Sequence, residues 1–500
     1  MLKLKDIVLQ MNGNDSEAFS DKLLETKADK FLTLFTLLRD NKLTDEEITE
    51  ALQITANAYY TLKSRLNGKV QEFLMSDILG VKADILQRVT NIPQLLYNMP
   101  RDTSISLLTK LEQDLLSYDM PWELTRVYTA LKKLHINTQK FYEYSQLYNR
   151  SVAYALALEK TEELAADFFK DLGTYCISKN KLFLNRLLLL KKEINNHCQL
   201  YQSHHLTLYF NIINVSFALF VPLPDEIKDD EPVEDMLDKI EQILSSHKSD
   251  SAYKYLYKVY YFLAFEYYHS LKQHKKASSY FKEINEDLPA FMLFNFCSFP
   301  AKFLQSKIER SIYLDKQESL YNEVSFLMDN YIADPHDLPG YIYIMKYIAV
   351  SAYHSQKYQD SIRTLNDLMN RVNLRNYNHA EVEIKLFLAF CYLIVGNDDM
   401  VHNLIKSVNR KIKEFNDEGQ YENAIIFSKM LVLLIDPSAK NKDHKVKLLK
   451  NKFLLLNRCD TRMLEYIELS KDEFIPKRNG IVSGKIEPII KKNKIKEEVF

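Results

Sequence analysis

The chain has 500 residues with 66 basic and 67 acidic side chains, so composition gives no overall attraction to nucleic acid or to an anionic membrane. Apolar residues make up 46% of the chain, which excludes global disorder, and its length requires several domains or an elongated repeat array. Only 9 glycines and 13 prolines are present. Because sheet-rich and nucleotide-binding α/β folds need glycine in turns and near ligands, this scarcity predicts an all-α protein.

The N-terminus, the apolar runs and the cysteines indicate a cytoplasmic protein. Charges begin at Lys3, so no apolar signal-peptide stretch is present. The longest apolar run, Leu386 to Val395, is about half of what a membrane span requires. The five cysteines are scattered without a Cys-x-x-Cys, which argues against a disulfide framework or a zinc knuckle. We therefore expect a cytoplasmic chain with no membrane span.

The first 80 residues are predicted to form an N-terminal trihelical segment. Residues 1 to about 20 are polar and are expected to be loose or weakly helical. A helix from Ala28 to Arg39 is expected to precede a helical pair at 44–66. In that pair Thr44 and Glu47 have the spacing of a capping box, which opens a helix.

The segment 44–66 resembles the helix-turn-helix of bacterial regulators. Its apolar residues fall on the five positions at which that motif places core side chains, namely Ile48, Leu52, Ile54, Tyr59 and Leu62. The resemblance implies that a DNA-reading face would consist of Asn57, Tyr60, Thr61, Lys63, Ser64 and Arg65. The segment departs from the family at Thr49, where a small residue is usual, and at Gln53, where the tight turn usually contains glycine.

Charge argues against DNA binding by this segment. Residues 21–80 carry eight basic and ten acidic side chains. Duplex-binding domains usually have a basic excess, because contacts to phosphate provide much of their affinity. Alternatively, the segment is the first helical hairpin of a scaffold, which is the interpretation that the sequence favours.

The rest of the chain is predicted to consist of helical hairpins. Residues 81–221 have apolar side chains at helical spacings of three and four. An acidic, proline-rich loop is predicted at 222–236, where three prolines and seven acids accompany a single lysine. A helical array is predicted at 237–475, with a second break at 334–340. The tail at 476–500 is expected to be loosely packed.

The region that begins at Tyr261 shows a repeat pattern. Large and small residues follow one another in the order Tyr261, Ala264, Phe265, Tyr268, Ala277, Phe281, Ile284 and Pro289. These positions resemble the tetratricopeptide repeat, in which small residues let two helices approach closely and a proline ends the second helix. The resemblance predicts that Ala277 is buried at a helix crossing, with Phe281 beside it.

Three weaker matches follow the first one. The second contains Ile348, Ala349, Ala352, Tyr358, Ser361 and Leu365, and the third contains Leu388, Ala389, Tyr392 and Gly396. The fourth lies near Gly419, Tyr421, Ala424, Ile425 and Pro437. The third and fourth registers conflict, because a helix from about 400 to 415 would belong to both. The resemblance covers about residues 255–438 and implies a tetratricopeptide-like superhelix; the alternative is an irregular helical bundle.

In such a superhelix the first helix of each hairpin lines a concave inner wall. The resemblance then implies that Phe262, Glu266 and His269 face a partner, and that Tyr343, Lys346 and Tyr353 do so in the second register. Aromatic side chains supply contact area at low entropic cost, and Lys346 could hold a carboxylate. Alternatively, these side chains pack on neighbouring repeats.

No catalytic pattern accompanies these features. Phosphate-binding loops, a nucleophile elbow and a His-Glu-x-x-His are all lacking. His197, Cys198, His204 and His205 do not suit a metal ion, because His197 and His204 would lie about 10 Å apart on one helix. A cationic helix at Lys440 to Lys452 is expected to be a solvated face or a contact for an acidic partner. Neither an enzymatic activity nor a cofactor or metal is expected.

The sequence therefore predicts a cytosolic scaffold that binds a protein or peptide partner. The alternative function is a transcription regulator, with an N-terminal helix-turn-helix that binds DNA and a tetratricopeptide-like sensor or dimerisation region. The sequence defines no oligomeric state.

Overall fold

The structure is a computed structural model that describes residues 4–11, 13–26, 28–40, 43–201, 203–222, 231–247, 251–286, 288–293, 296–331, 333–414, 419–438 and 440–469. It is 82% helix, and no strand occurs within these ranges. The predicted all-α class is therefore confirmed. None of the helices in these ranges combines the length and the apolar character that a bilayer crossing needs.

The chain divides into two compact units. The first comprises residues 1–165, 193–215 and 229–293, and the second comprises residues 166–192, 216–228 and 294–500. The helices of the first half are α1 (Leu4–Gln10), α2 (Gly13–Glu25), α3 (Asp29–Asp40), α4 (Asp45–Ala51), α5 (Ala56–Thr90), α6 (Ile92–Asn98), α7 (Arg101–Ser117), α8 (Pro121–Leu134), α9 (Lys140–Ser178), α10 (Lys181–Leu200), α11 (His204–Phe220) and α12 (Val233–Ser246).

The second half continues with helices of similar length. These are α13 (Ser251–Ser270), α14 (His274–Glu286), α15 (Leu288–Met292), α16 (Phe299–Tyr313), α17 (Leu320–Asn330), α18 (Leu338–His354), α19 (Tyr358–Arg371), α20 (Asn378–Val395), α21 (Asp398–Glu414), α22 (Glu422–Ile435) and α23 (Lys442–Leu456). A 3-10 turn, Gln317–Ser319, precedes α17.

The N-terminus is more ordered than its polar sequence suggested. Helices α1 and α2 form where a loose or weakly helical segment was predicted, because Val8 and Phe19 are fully buried in a core that also contains Leu34 of α3. Helix α5 continues this core at its start and contributes Ile85 to a second core with α7 and α8. The three helices predicted here are present as α3, α4 and the start of α5, with α1 and α2 packed against them, and α5 is a helix of 35 residues.

The predicted breaks are partly visible. Helix α12 begins at Val233, inside the loop predicted at 222–236, and residues 223–230 of that loop lie outside the described residues. The predicted tail at 476–500 also lies outside them. Between α17 and α18 the break is present, and the carboxylate of Asp337 accepts a hydrogen bond from the backbone N–H of Gly340 to open α18.

Three helical hairpins share one turn geometry. Lys272, Gln356 and Gly396 each adopt the left-handed conformation between two antiparallel helices. In each turn the next backbone N–H donates to the carbonyl five residues before it, over 2.9 Å, which closes the first helix. Five residues after the left-handed residue comes a fully buried side chain, at Ala277, Ser361 and Val401.

These hairpins pack in chain order. Helix α18 pairs with α19, α20 with α21, and α22 with α23, and α20 packs against both α18 and α22. Helix α21 is therefore the second helix of the hairpin that α20 opens. The fourth register predicted from the sequence, which used the same helix as a first helix, is wrong, because α22 takes that position.

Ala277 lies at the crossing of α13 and α14 with no exposed surface, as predicted. We expect Ala277→Leu to lower the free energy of unfolding by about 1–3 kcal/mol, because the added methylenes would overpack this crossing. The matched control is Ser279→Leu on the exposed side of the same helix, where little change is expected. Thermal unfolding followed by circular dichroism compares the two, and equal melting temperatures would contradict the assigned crossing.

Candidate functional site

The first candidate site is the turn between α4 and α5. Thr44 and Glu47 form the predicted capping box, since the Thr44 N–H donates to Glu47 Oε2 at 2.7 Å and Thr44 Oγ1 accepts from the Glu47 N–H. Gln53 follows in the left-handed conformation, with φ of 51°. The backbone thus adopts at Gln53 the conformation for which the helix-turn-helix family uses glycine, although the residue is not glycine.

This strained position gives a prediction. Gln53→Gly should stabilise the helix pair by about 0.5–1 kcal/mol, because the left-handed conformation costs a residue with a Cβ more than glycine loses in the unfolded chain. Gln87→Gly in the regular, exposed part of α5 is the matched control and should destabilise by about 1 kcal/mol. Hydrogen exchange of the α4 and α5 amides measures both effects, and we expect slower exchange after Gln53→Gly and faster exchange after Gln87→Gly. The assigned turn would be contradicted if both substitutions slowed exchange, or if neither did.

The six predicted DNA-reading residues lie on one side of α5. Five of them are exposed, and these are Asn57, Tyr60, Thr61, Ser64 and Arg65. Behind this face, Tyr59 and Leu66 are buried and Leu62 is half-buried. The predicted division is therefore present in part, because Leu62 was expected to be buried and Lys63 to be exposed, and both are half-buried. Such a division occurs in any amphipathic hairpin.

Lys63 differs from the other five residues. Its Nζ lies 2.8 Å from Asp45 Oδ2, and the Tyr59 hydroxyl donates to the other oxygen of the same carboxylate at 2.7 Å. Partial burial opposes ionisation of Asp45, but the hydrogen bonds from Lys63 and Tyr59 outweigh it and lower its pKa. Lys63 thus neutralises an acid within its own helix pair, which leaves Arg65 as the exposed cation among the six.

The second candidate site was predicted on the first helices of the hairpins, and there the structure corrects the exposure of the residues. Phe262 has no exposed surface and packs on Phe291 in the first unit, while Glu266 and His269 are half-buried. Phe262 therefore belongs to the core and offers no surface to a partner. Phe262 is buried because large apolar side chains on both sides of α13 pack against neighbouring helices.

In the second unit Tyr343 and Lys346 are also buried, at 6% and 5% exposure. Tyr353 is half-buried and packs on Phe387 and Phe390 of α20, with ring centroids 5.7 and 5.9 Å apart. These side chains contact the neighbouring hairpin, which was the alternative left open by the sequence. These positions therefore do not form an open wall of exposed residues that could bind a partner.

Lys346 does hold a carboxylate, but one from its own chain. Its Nζ lies 2.7 Å from Glu383 Oε2 of α20, and both side chains are less than a tenth exposed. Burial opposes ionisation of Glu383, and the charge of Lys346 outweighs it and holds the pKa of Glu383 below its usual range. Beside them burial lowers the pKa of His379 to about 3, so this imidazole is neutral.

A non-helical segment that follows α23 covers this charged pair. We call residues 461–469 the strap; its buried side chains are Thr461, Met463, Leu464, Tyr466, Ile467 and Leu469. Leu464 adopts a left-handed conformation with φ of 58°, which a leucine adopts only when its surroundings impose it. The strap is therefore held in one conformation by the helices on which it lies.

The strap crosses the first helices of successive hairpins in reverse chain order. Asn423 of α22 donates to the Thr461 carbonyl at 2.8 Å, and Glu383 of α20 accepts from the Leu464 N–H at 3.1 Å. His354 Nε2 of α18 then lies 3.0 Å from the Tyr466 carbonyl. In two of these three contacts a charged or ionisable side chain binds a backbone group of the strap. Because every residue has these backbone groups, the two contacts do not depend on which side chains the strap carries.

Side chains add to this capture at the centre of the strap. The Tyr466 ring lies 4.9 Å from that of Phe387, and Lys346 Nζ lies 5.4 Å from the Tyr466 centroid. Burial and the neighbouring Glu383 carboxylate raise the pKa of Tyr466 well above its usual value. We call the surface formed by Lys346, His354, Glu383, Phe387 and Asn423 the strap face.

Little in the amino-acid sequence indicated the strap. Its apolar residues Met463, Tyr466 and Ile467 are three and four residues apart, which is equally compatible with a helix, and the segment fell inside the array predicted at 237–475. Glu383, His354 and Phe387 were not singled out either, because each lies within a helix whose periodicity only marks a buried side. Lys346 is the one predicted partner-binding residue that also belongs to the strap face.

The remaining sequence features have local partners. His197 Nδ1 lies 3.2 Å from the Thr161 hydroxyl, and Cys198 donates to the Leu206 carbonyl. His204 Nδ1 lies 2.5 Å from the Tyr253 hydroxyl, and its ring stacks on that of His247. No grouping that could hold a metal occurs in the parts of the chain that the structure describes.

No protein-family model, no curated protein and no solved structure matches this chain. The features that bear on function are therefore the strap face and the α4–α5 pair.

Proposed function

We propose that this chain is a protein-binding scaffold whose hairpins form a tetratricopeptide-like array, with the strap face as the surface that takes a polypeptide segment. The shared turns at Lys272, Gln356 and Gly396 support the array, because equal turns with equally placed buried residues are what a repeated hairpin unit requires. Packing in chain order from α18 to α23 supports it as well.

The observation that carries the proposal is the strap itself. The strap face already holds a non-helical segment, and it does so through backbone groups at Leu464 and Tyr466 as well as through apolar side chains. Backbone capture with pockets for some side chains is a general mode of peptide recognition. A surface built only to close a helical core would not need the buried Lys346–Glu383 pair, because apolar residues of similar volume usually serve a core equally well.

The test compares two matched pairs of substitutions in the tagged full-length chain. Lys346→Met with Glu383→Leu removes the charges of the strap face, and Lys452→Met with Glu422→Leu removes an exposed pair of the same type, whose atoms lie 2.9 Å apart. Proteins bound from cells that express the chain are quantified by mass spectrometry. We expect partners that the wild type and the exposed-pair variant retain and that the strap-face variant loses at least tenfold. Identical partner sets for all three would contradict the proposal.

A second candidate function is DNA binding by the α4–α5 pair. The left-handed turn at Gln53, together with the exposed Tyr60, Ser64 and Arg65, favours it. The ten acids among residues 21–80 and the pairing of Lys63 with Asp45 oppose it. We therefore place it second.

A gel shift with the full-length chain separates the two functions. Under the scaffold proposal no shift is expected at physiological salt with micromolar protein. A shift that Lys63→Ala with Arg65→Ala abolishes, with a salt slope reduced by about one per lost phosphate contact, would favour the regulator. Circular dichroism confirms that the double substitution leaves the helices intact.

A further inference from the structure

We infer that the strap is an internal ligand of the strap face, which it occupies in competition with a partner segment of the same chemistry. This inference rests on the proposed function. It adds that the strap occupies the binding surface and that this occupancy regulates partner binding. The strap lies on α22, α20 and α18 in turn, and it adds no helix to the array.

The contacts define the kind of segment that fits. The ring of Tyr466 contacts both Phe387 and Lys346, and the backbone carbonyl of Tyr466 lies 3.0 Å from His354 Nε2. Apolar side chains stand three and two residues before it, one after it and three after it, at Met463, Leu464, Ile467 and Leu469. The partner segment is therefore expected to be non-helical, with a central tyrosine or phenylalanine and apolar residues at these four spacings.

The strain at Leu464 bears on exchange between the two occupants. A leucine in the left-handed conformation is held against its own backbone preference, so the strap binds less tightly than its buried surface alone would allow. A partner segment that places an apolar side chain in the same position from an unstrained backbone would not carry this cost. The strap gains instead from being tethered, because an attached segment competes at an effective concentration of about a millimolar.

The exposed turn between α23 and the strap offers a direct experiment. Arg458, Cys459 and Asp460 are all exposed, so a protease recognition sequence inserted between Arg458 and Cys459 should leave the fold unchanged. The full-length chain is folded first and then cleaved, which removes only the tether. The probe is a fluorescein-labelled synthetic peptide with the sequence of residues 459–469, and binding is read by fluorescence anisotropy.

After cleavage and dilution we expect the strap fragment to separate on size exclusion while the helical signal is kept. The cleaved chain should then bind the labelled peptide about 100-fold more tightly than the uncleaved chain, as follows from a millimolar tether against a peptide of about 10 µM affinity. A control peptide with alanine in place of Tyr466 should bind at least tenfold more weakly.

Two outcomes would overturn the inference. One is a strap fragment that leaves only when the helices unfold, and the other is a stripped chain that stays folded and does not bind the peptide. Both are independent of the partner experiment above. A partner that depends on Lys346 and Glu383 without any peptide binding would sink the internal ligand alone, whereas peptide binding without such a partner would sink the proposed function.

Discussion

Glu383→Ala is expected to lower the free energy of unfolding of the second unit by about 3–5 kcal/mol. The substitution leaves the Lys346 ammonium, at 5% exposure, without the carboxylate that lies 2.7 Å away. Removing one partner of a buried pair is costly because the other charge stays desolvated and uncompensated. It also removes the acceptor of the Leu464 N–H, so the strap should loosen as well. Urea unfolding followed by circular dichroism measures the loss.

Two controls separate the buried pair from general effects of charge. Glu422→Ala breaks an exposed pair with Lys452 and should change the stability by no more than about 1 kcal/mol. Lys346→Met with Glu383→Leu removes both buried charges and should recover most of the loss, short of the about 1–3 kcal/mol that the unpaired Leu464 N–H costs. Equal losses for Glu383→Ala and Glu422→Ala would show that the pair is solvated and that the strap does not cover it.

Phe262→Ala should be comparably damaging, with an expected loss of about 3–5 kcal/mol. Phe262 is fully buried in α13, so the substitution leaves a cavity as well as losing the transfer free energy of the ring. Tyr255→Ala in the same helix is the matched control, because that ring is 55% exposed and should contribute less than about 0.5 kcal/mol. Thermal unfolding of the two variants compares a core position with a surface position on one helix.

The same pair of variants tests whether Phe262 lies in the core or on a surface that binds a partner. If Phe262 lined an open wall, as the repeat resemblance implied, both alanine substitutions would cost little stability and Phe262→Ala would instead weaken partner binding. The structure predicts the reverse, with a large loss of stability at Phe262 and none at Tyr255.

The helices were predictable because their signal is local. Apolar spacing, the capping box at Thr44 and the small residue at Ala277 all depend on neighbours within a few residues, and each appears in the structure where the sequence indicated. The packing of the N-terminal helices α1 and α2 was underestimated, because their few apolar residues gain a core only from α3 and α5.

The candidate site was predictable only at Lys346. Its partner Glu383 lies 37 residues away and the Leu464 amide lies 81 residues from Glu383, so neither contact leaves a trace in local periodicity. Gln53 shows the converse limit. Its side chain argued against a tight turn, whereas the backbone adopts that turn because the packing of α4 on α5 outweighs a cost of about 1 kcal/mol.

Hydrogen exchange of the strap amides tests most directly whether the strap face is a binding surface. If the strap is a ligand, the Leu464 and Ile467 amides should exchange through an opening that leaves α18 and α20 protected, with protection at least 100-fold below that of those helices. The cost of this opening should also fall after Glu383→Gln, which weakens the hold on the Leu464 N–H. Exchange of the strap amides at the rate of the α18 and α20 amides, in the wild type and in the variant alike, would show that the strap is part of the core and would contradict the account.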